Sequence, residues 1–244
     1  MKKILKKISR IIEKNWIIKV ISFWILSLMP SKVLYYFQHN ITRRSFKPIL
    51  SIDSDWNYAL SVIEKYKSNE KIRLLEFGAG RNLGQNIFLA IKCKHLSQTV
   101  VDLNTMINPK LCFDAYREIS HLLGQEILFE TSNIDDLLFN LRIKYISPLD
   151  VAKYESIDKY DICVSKDTIE HIPIKNINKI LENIKKLLLK DGILISCVDY
   201  SDHYSHNDIN LSSLNFLRYT VPVWSIFNPP NHYQNRIRHI DFMK

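Results

Sequence analysis

The chain has 244 residues, 46% of them hydrophobic and 24% charged, which is enough to bury one sizeable α/β core with appendages. Its four cysteines, Cys93, Cys112, Cys163 and Cys197, are isolated and lack metal-type spacing, and two fall in predicted buried strands, so reduced core thiols and a cytosolic compartment are expected. The net charge is +9, but residues 1–50 hold eleven of the 34 Lys/Arg and one of the 25 acids; the remaining 23 bases and 24 acids leave the rest nearly neutral, so no nucleic-acid partner is expected.

The first predicted element is a basic amphipathic helix over 1–14. Ile4, Leu5, Ile8, Ile11 and Ile12 share one side of the helical wheel, and Lys2, Lys3, Lys6, Lys7, Arg10, Glu13 and Lys14 the other. A more apolar run follows over 16–29, interrupted by Lys19 and closed by Pro30, and shorter than the ~20 residues of a membrane span. No small-x-small cleavage site marks it as a signal peptide. Two readings stand: an in-plane anchor on an anionic inner leaflet, where each near-surface base adds roughly 1 kcal/mol, or a helical extension packed on the domain or on another subunit. The anchor is the expectation adopted for an N-terminal extension over 1–48, which ends in a polar-aromatic connector from Tyr35 to Pro48.

From 49 to 200 the pattern alternates. A helix is expected over 55–67, a strand over 71–77, a helix over 83–94 and a strand over 99–102. Helices follow within 109–140, the last opened by Asp135-Asp136. Then come a strand over 142–147, a strand over 160–165, a helix over 176–189 and a strand over 192–198. Such alternation implies an α/β fold with a doubly wound, mainly parallel sheet.

The most informative segment is Leu74-Leu75-Glu76-Phe77-Gly78-Ala79-Gly80-Arg81-Asn82. An apolar strand ends in an acid, turns through Gly-x-Gly and enters a helix, which is how an open α/β sheet holds a nucleotide-like cofactor. Gly78 allows the sharp turn, and Gly80 removes a side chain where a ligand would approach the backbone. A carboxylate at Glu76 repels a pyrophosphate but accepts hydrogen bonds from ribose hydroxyls or an amino group. Asp102, at the end of the second strand, suits ribose in either a dinucleotide or an S-adenosylmethionine (SAM) site.

Later segments separate the two. Glu76-x-Gly-x-Gly, Asp102, Ile169-Glu170-His171-Ile172-Pro173 and Asp191-Gly192-Ile193-Leu194-Ile195-Ser196, in this order over about 70–200, resemble class I SAM-dependent methyltransferases. The resemblance implies a Rossmann-like SAM-binding core over 49–200 with SAM held by Glu76, Gly78, Gly80 and Asp102. It further implies that Asp150 and Ala152 meet the adenine and that Ser165 lines the cofactor. The family adds a helix and two strands after strand five. Here 201–244 show no clear strand pair, so either the chain is truncated or the closing C-terminal hairpin is lacking.

Asp199-Tyr200-Ser201-Asp202-His203-Tyr204-Ser205-His206 follows strand five. A sugar hydroxyl gains nucleophilicity when a histidine oriented by a carboxylate removes its proton. His203 is the candidate base, with Asp202 or Asp199 orienting it. Asp and His could also gather a divalent ion, but the ligands crowd one loop, and no metal is assigned. His171 reads equally as a ligand-facing residue or as a helix-start histidine bonded to backbone. This loop, the Asn215-Phe216-Leu217-Arg218-Tyr219 run and Tyr233-Gln234-Asn235-Arg236-Ile237-Arg238 resemble a methyltransferase subgroup associated with bacterial surface-polysaccharide synthesis. That implies O-methylation of a sugar or lipid-linked sugar, with arginine forks for phosphates. The expected place is the cytoplasmic side of an anionic membrane; the oligomeric state is not legible. Rival readings are a methyltransferase for a lipid or quinone-like ring, an inactive SAM-fold scaffold at the membrane and, least favoured, a nicotinamide-linked oxidoreductase.

Overall fold

The computed structural model describes residues 16–30, 33–34, 48–66, 71–127, 129–208 and 210–243. The amphipathic helix expected over 1–14 and most of the connector lie outside them. The chain divides into two compact units, one of Arg44–Ile169 with Lys175–Val198, the other of Met1–Arg43, Glu170–Ile174 and Asp199–Lys244.

The first unit is the expected Rossmann-like α/β layer structure. Its strands are β1 (Ile72–Phe77), β2 (Leu96–Val101), β3 (Ile143–Ile146), β4 (Tyr160–Lys166) and β5 (Leu188–Cys197). They pair in the order β3-β2-β1-β4-β5, every pair parallel. The order reverses beside β1, which makes the carboxyl end of β1 the switch point where such sheets bind ligands. β1 and β4 are buried almost throughout, as central strands covered on both faces must be. Among the described residues no strand follows β5, which forms an edge.

Of the helices, α1 (Trp16–Ser27) belongs to the second unit, while α2 (Ser54–Tyr66), α3 (Gly84–Lys92), α4 (Pro109–Leu122), α5 (Ile134–Asn140) and α6 (Ile174–Leu187) flank the sheet. Local chemistry fixes their starts. Asn108 caps α4 by accepting from Leu111 N–H, with Pro109 at the first helical position. Asn133 caps α5, and Asp135 and Asp136 sit in its positive first turn. Leu74, Leu83, Ile87, Leu96, Ile119 and Ile162 are fully buried in one core.

Two boundaries differ from the pattern reading by three residues or more. β2 begins at Leu96 rather than 99, because Gln98, polar but 2% exposed, is satisfied by Asn86. β5 begins at Leu188, where α6 ends, with no turn residue between them.

The second unit is small and irregular. Its described helices are α1, α7 (Val221–Phe227) and α8 (His239–Phe242), with short 3-10 turns in the loops. Val20 of α1 packs with Tyr204, Phe216 and Trp224, and Trp24 Nε1 donates to the Ile226 carbonyl (2.7 Å). Gln234 ties the loop together: its amide donates to Ser201 O, and its Oε1 accepts from His203 N–H (3.3 Å). Arg236 Nη1 is hydrogen-bonded to Tyr219 O (2.6 Å) and Arg238 Nη1 to Tyr200 O (2.7 Å), so both guanidiniums brace backbone.

Candidate functional site

The turn after β1 is built on two glycines with φ of 78° and 77°, a region that costs L-residues about 1–2 kcal/mol. Their surroundings differ. A Cβ on Gly78 would lie 2.3 Å from Thr168 Oγ1, which hydrogen-bonds to the carbonyls of Gly78 (3.1 Å) and Lys166 (2.8 Å). A Cβ on Gly80 would meet no described atom within 4 Å. Gly84 serves packing instead, since its Cβ would lie 2.7 Å from the Trp56 ring.

Asp102 follows β2 and is 2% exposed. Its carboxylate accepts the Tyr145 hydroxyl (2.8 Å), while Gly78 N–H donates to the Val101 carbonyl (3.3 Å). Burial raises its pKa above the ordinary carboxylate value, and the Tyr145 hydroxyl, then the nearby amides of Gly78 and Ala79, oppose the rise. The Gly78–Val101 backbone bond thus ties the glycine turn to the end of β2.

Glu76, also 2% exposed, turns toward α3. It accepts from Asn86 Nδ2 (2.7 Å) and Gln85 Nε2 (3.4 Å), and Asn86 continues to Gln98 Oε1 (3.1 Å). Burial pushes its pKa from 4.5 up to about 7 against the pull of those amides. A carboxyl with a raised folded pKa stabilises the fold fully below its unfolded value, and the contribution is lost as pH rises through the folded value. Glu76→Gln is therefore expected to flatten the pH dependence of stability. Relative to this variant, the parent chain should lose about 3 kcal/mol between about pH 5 and pH 9, read by urea unfolding. Parallel curves would mean that Glu76 does not titrate in this range.

Asp150 caps the turn Val151–Lys153 by accepting from Ala152 N–H (2.9 Å), and Leu149 N–H donates to the Asp102 carbonyl (2.8 Å), so this loop runs beside Asp102. Ser165 is 1% exposed and its Oγ has no hydrogen-bond partner among the described residues. It lines a cleft of about 140 Å³ with Tyr58, Gln85, Lys166, Ser196 and Cys197. Open space over Gly80 and an orphaned hydroxyl at Ser165 fit a ligand at the carboxyl ends of β1 and β4.

The sequence reading missed Lys166. Its Nζ lies 2.8 Å from Asp167, 3.1 Å from Asp55 and 3.4 Å from Asp53. Burial works against the ammonium, but these carboxylates prevail and raise its pKa. Cys197 Sγ donates to Asp55 Oδ2 (3.3 Å); burial first, then Asp55, pushes the thiol up to about 12.

The second unit gathers imidazoles. Asp199 Oδ1 accepts from Ser201 N–H (2.8 Å) and Oγ (2.6 Å), while Oδ2 lies 3.3 Å from His203 Nε2 and 3.2 Å from His206 Nε2. His171 stands 4.9 Å from His203, ring centre to ring centre, and His232 at 6.3 Å. Burial, then the neighbouring His171, hold His203 below the ordinary imidazole pKa, with Asp199 pulling the other way. His232, deeper still and facing His203 and Lys19, falls to about 4. Burial acts to raise Asp199, but the Ser201 hydrogen bonds outweigh it and hold the carboxyl below its ordinary value.

Asp202 has a different place. Fully buried, it accepts from Tyr204 N–H (2.9 Å) and Asn215 Nδ2 (3.2 Å) and braces the loop. Of the two acids offered for His203, Asp199 is the one beside the ring. The approach of His171 and His232 had no sequence signal.

No family model matches the sequence, and no curated protein matches it. Solved structures similar to the chain include coclaurine N-methyltransferase bound to N-methylheliamine and SAH, at 19% identity and TM-score 0.38, over 62% of this chain and 38% of that one. An S-adenosylmethionine-dependent methyltransferase from Clostridium acetobutylicum has 13% identity and TM-score 0.38, over 73% and 60%. N-methyltransferase NodS from Bradyrhizobium japonicum, in complex with S-adenosyl-L-homocysteine, has 13% identity and TM-score 0.34, over 57% and 60%. The aligned part thus spans between 38% and 60% of these structures, and each likeness is one of fold alone.

Proposed function

We propose that the chain is a SAM-dependent methyltransferase that O-methylates a sugar of a cell-surface glycan, or its lipid-linked precursor, at the inner face of the cytoplasmic membrane. One observation carries the cofactor: a left-handed glycine turn at the switch point of a parallel sheet, next to the buried carboxylate of Asp102 and open above Gly80. When bound, SAM supplies an activated methyl group on a sulfonium. The Gly78–Gly80 backbone would receive its amino-acid end, Asp102 its ribose, the Asp150–Ala152 loop its adenine, and Ser165 would close the cleft. Asp199 comes two positions after the last residue of β5. His203, oriented by Asp199 and held neutral, would take the proton from the attacking hydroxyl. Calorimetry with SAM and with NAD(P) tests the reading. SAM alone should bind; binding of the nicotinamide cofactor instead would overturn it. Glycan mass spectrometry with and without the gene should then reveal the loss of one methyl group.

The membrane part draws on α1. One side of it packs through Val20 and Phe23, yet Ile21, Ile25 and Leu28 are 53%, 54% and 83% exposed. Val223 and Ile226 of α7, beside Trp24, extend the apolar surface. The two readings of residues 16–29 are thus compatible. No described helix is long and apolar enough to cross a membrane. The neighbouring sequence is strongly basic, which suits attraction to an anionic leaflet. The chain is expected to sediment with anionic vesicles at low salt and to be released by salt. Binding should fall to the level of neutral vesicles when residues 1–29 are deleted. Indifference of the full chain to anionic vesicles at low salt would remove the membrane from the proposal.

A further inference from the structure

We propose that Asp199, His203 and His206 form a binding site for a divalent transition-metal ion of the zinc type. Their donor atoms lie within 4.8 Å of one another. The spacing is informative. Zinc bonds of about 2.0–2.2 Å in tetrahedral array set neighbouring ligand atoms roughly 3.3–3.5 Å apart. Asp199 Oδ2 stands 3.3 Å from His203 Nε2 and 3.2 Å from His206 Nε2. Charge-assisted hydrogen bonds close to about 2.7–2.9 Å. Two imidazole nitrogens therefore face one carboxylate oxygen at the separation of ligands around a shared ion.

The surroundings orient these atoms. Ser201 N–H and Oγ occupy Asp199 Oδ1, which leaves Oδ2 to the ion; Ser201 Oγ is also 2.6 Å from His206 Nε2, a hydrogen bond the ion must displace to ligate that nitrogen. Glu170 and His171 add a second set of donors within reach of His203. His171 Nδ1 is 2.8 Å from the Tyr233 carbonyl, which can only accept. The proton therefore sits on Nδ1 and the lone pair on Nε2, the arrangement common in metal-binding histidines. Two imidazoles and one carboxylate suit Zn²⁺ or Co²⁺ better than Mg²⁺ or Ca²⁺, which prefer all-oxygen shells. Three protein ligands leave a position open to water or a hydroxyl.

The crowding of ligands in one loop argued against a metal from sequence. The 3-10 turn Ser205–Asn207 changes that, because it accompanies the return of His206 to the carboxylate that His203 faces. An ion on Nε2 takes the place of the N–H that Asp199 accepts when it orients His203, so the ion-loaded site and the Asp199-oriented base are alternative states of this ring. The site itself does not depend on methyl transfer, and its test reads binding alone.

The full chain, stripped with chelator and dialysed, is titrated with Zn²⁺ in a calorimeter and separately loaded with Co²⁺ for visible absorption. One ion per chain is expected, with the intense Co²⁺ bands of a four- or five-coordinate nitrogen–oxygen site. His206 is half exposed, so His206→Ala should fold, as circular dichroism will show, and bind at least ~10-fold more weakly. Asp199→Asn should weaken binding comparably, and His203→Ala/His206→Ala should abolish it. The absence of stoichiometric binding to the parent chain overturns the proposal. So does undiminished affinity in folded His206→Ala, or a thiolate-to-Co²⁺ charge-transfer band that places the ion on cysteine.

Discussion

Gly78→Ala is expected to destabilise the chain by about 2–5 kcal/mol and to abolish SAM binding with it. Two costs add: a left-handed φ for a residue with a Cβ, and a methyl group driven to 2.3 Å from Thr168 Oγ1. Thr168 cannot swing away without surrendering its hydrogen bonds to Gly78 O and Lys166 O. Gly80→Ala shares only the first cost, about 1–2 kcal/mol, because its Cβ enters open space. The two glycines thus separate folding from binding. Gly80→Val should remain largely folded by urea unfolding and lose SAM binding in the calorimeter. If Gly80→Val binds SAM as well as the parent chain does, the space above this residue holds solvent and the cofactor assignment fails.

His203→Ala should lower turnover ~10²-fold or more while SAM affinity stays close to the parent value. The expectation rests on the pairing of the ring with Asp199 and on the poor nucleophilicity of a protonated sugar hydroxyl. The pH profile adds a separate reading. A base must be unprotonated to work, and burial keeps His203 below the ordinary imidazole value of about 6.5. The acidic limb of kcat/KM should therefore fall below about pH 6.5 and disappear in His203→Ala. Near-parental turnover in this variant would make His171, whose ring adjoins it, the next candidate.

The sequence exposed the parts of this molecule that are local. β1, its glycine turn and α3 lie within about twenty residues, and hydrophobic period plus turn chemistry identify them without tertiary help. The sheet class followed from repetition of that unit. What stayed hidden depends on distant residues. Lys166 meets Asp53 and Asp55 across more than a hundred positions of sequence. Glu76 looked like a ligand-facing strand end; its burial against α3 requires knowing that Asn86 and Gln98 face it. The choice between Asp199 and Asp202 turned on one turn of backbone, which buries Asp202 against Asn215 and leaves Asp199 among the rings. Residue type alone gave no sign that Arg236 and Arg238 each place one Nη on a backbone carbonyl, of Tyr219 and of Tyr200.

The Cys197–Asp55 contact bears on self-damage. A sulfonium methyl donor alkylates thiolates readily, and Cys197 lines the cleft that holds Ser165. With its pKa pushed up to about 12, the thiol is ionised in only roughly one molecule in 10⁴–10⁵ near neutral pH. Cys112, also pushed up to about 12, and Cys163, raised by burial, are quenched in the same way. On the proposed function the chain would hold an alkylating agent between turnovers and must not become its own acceptor. Burial, together with a carboxylate that favours the neutral S–H, gives this chain that chemical restraint without removing sulfur from the cleft.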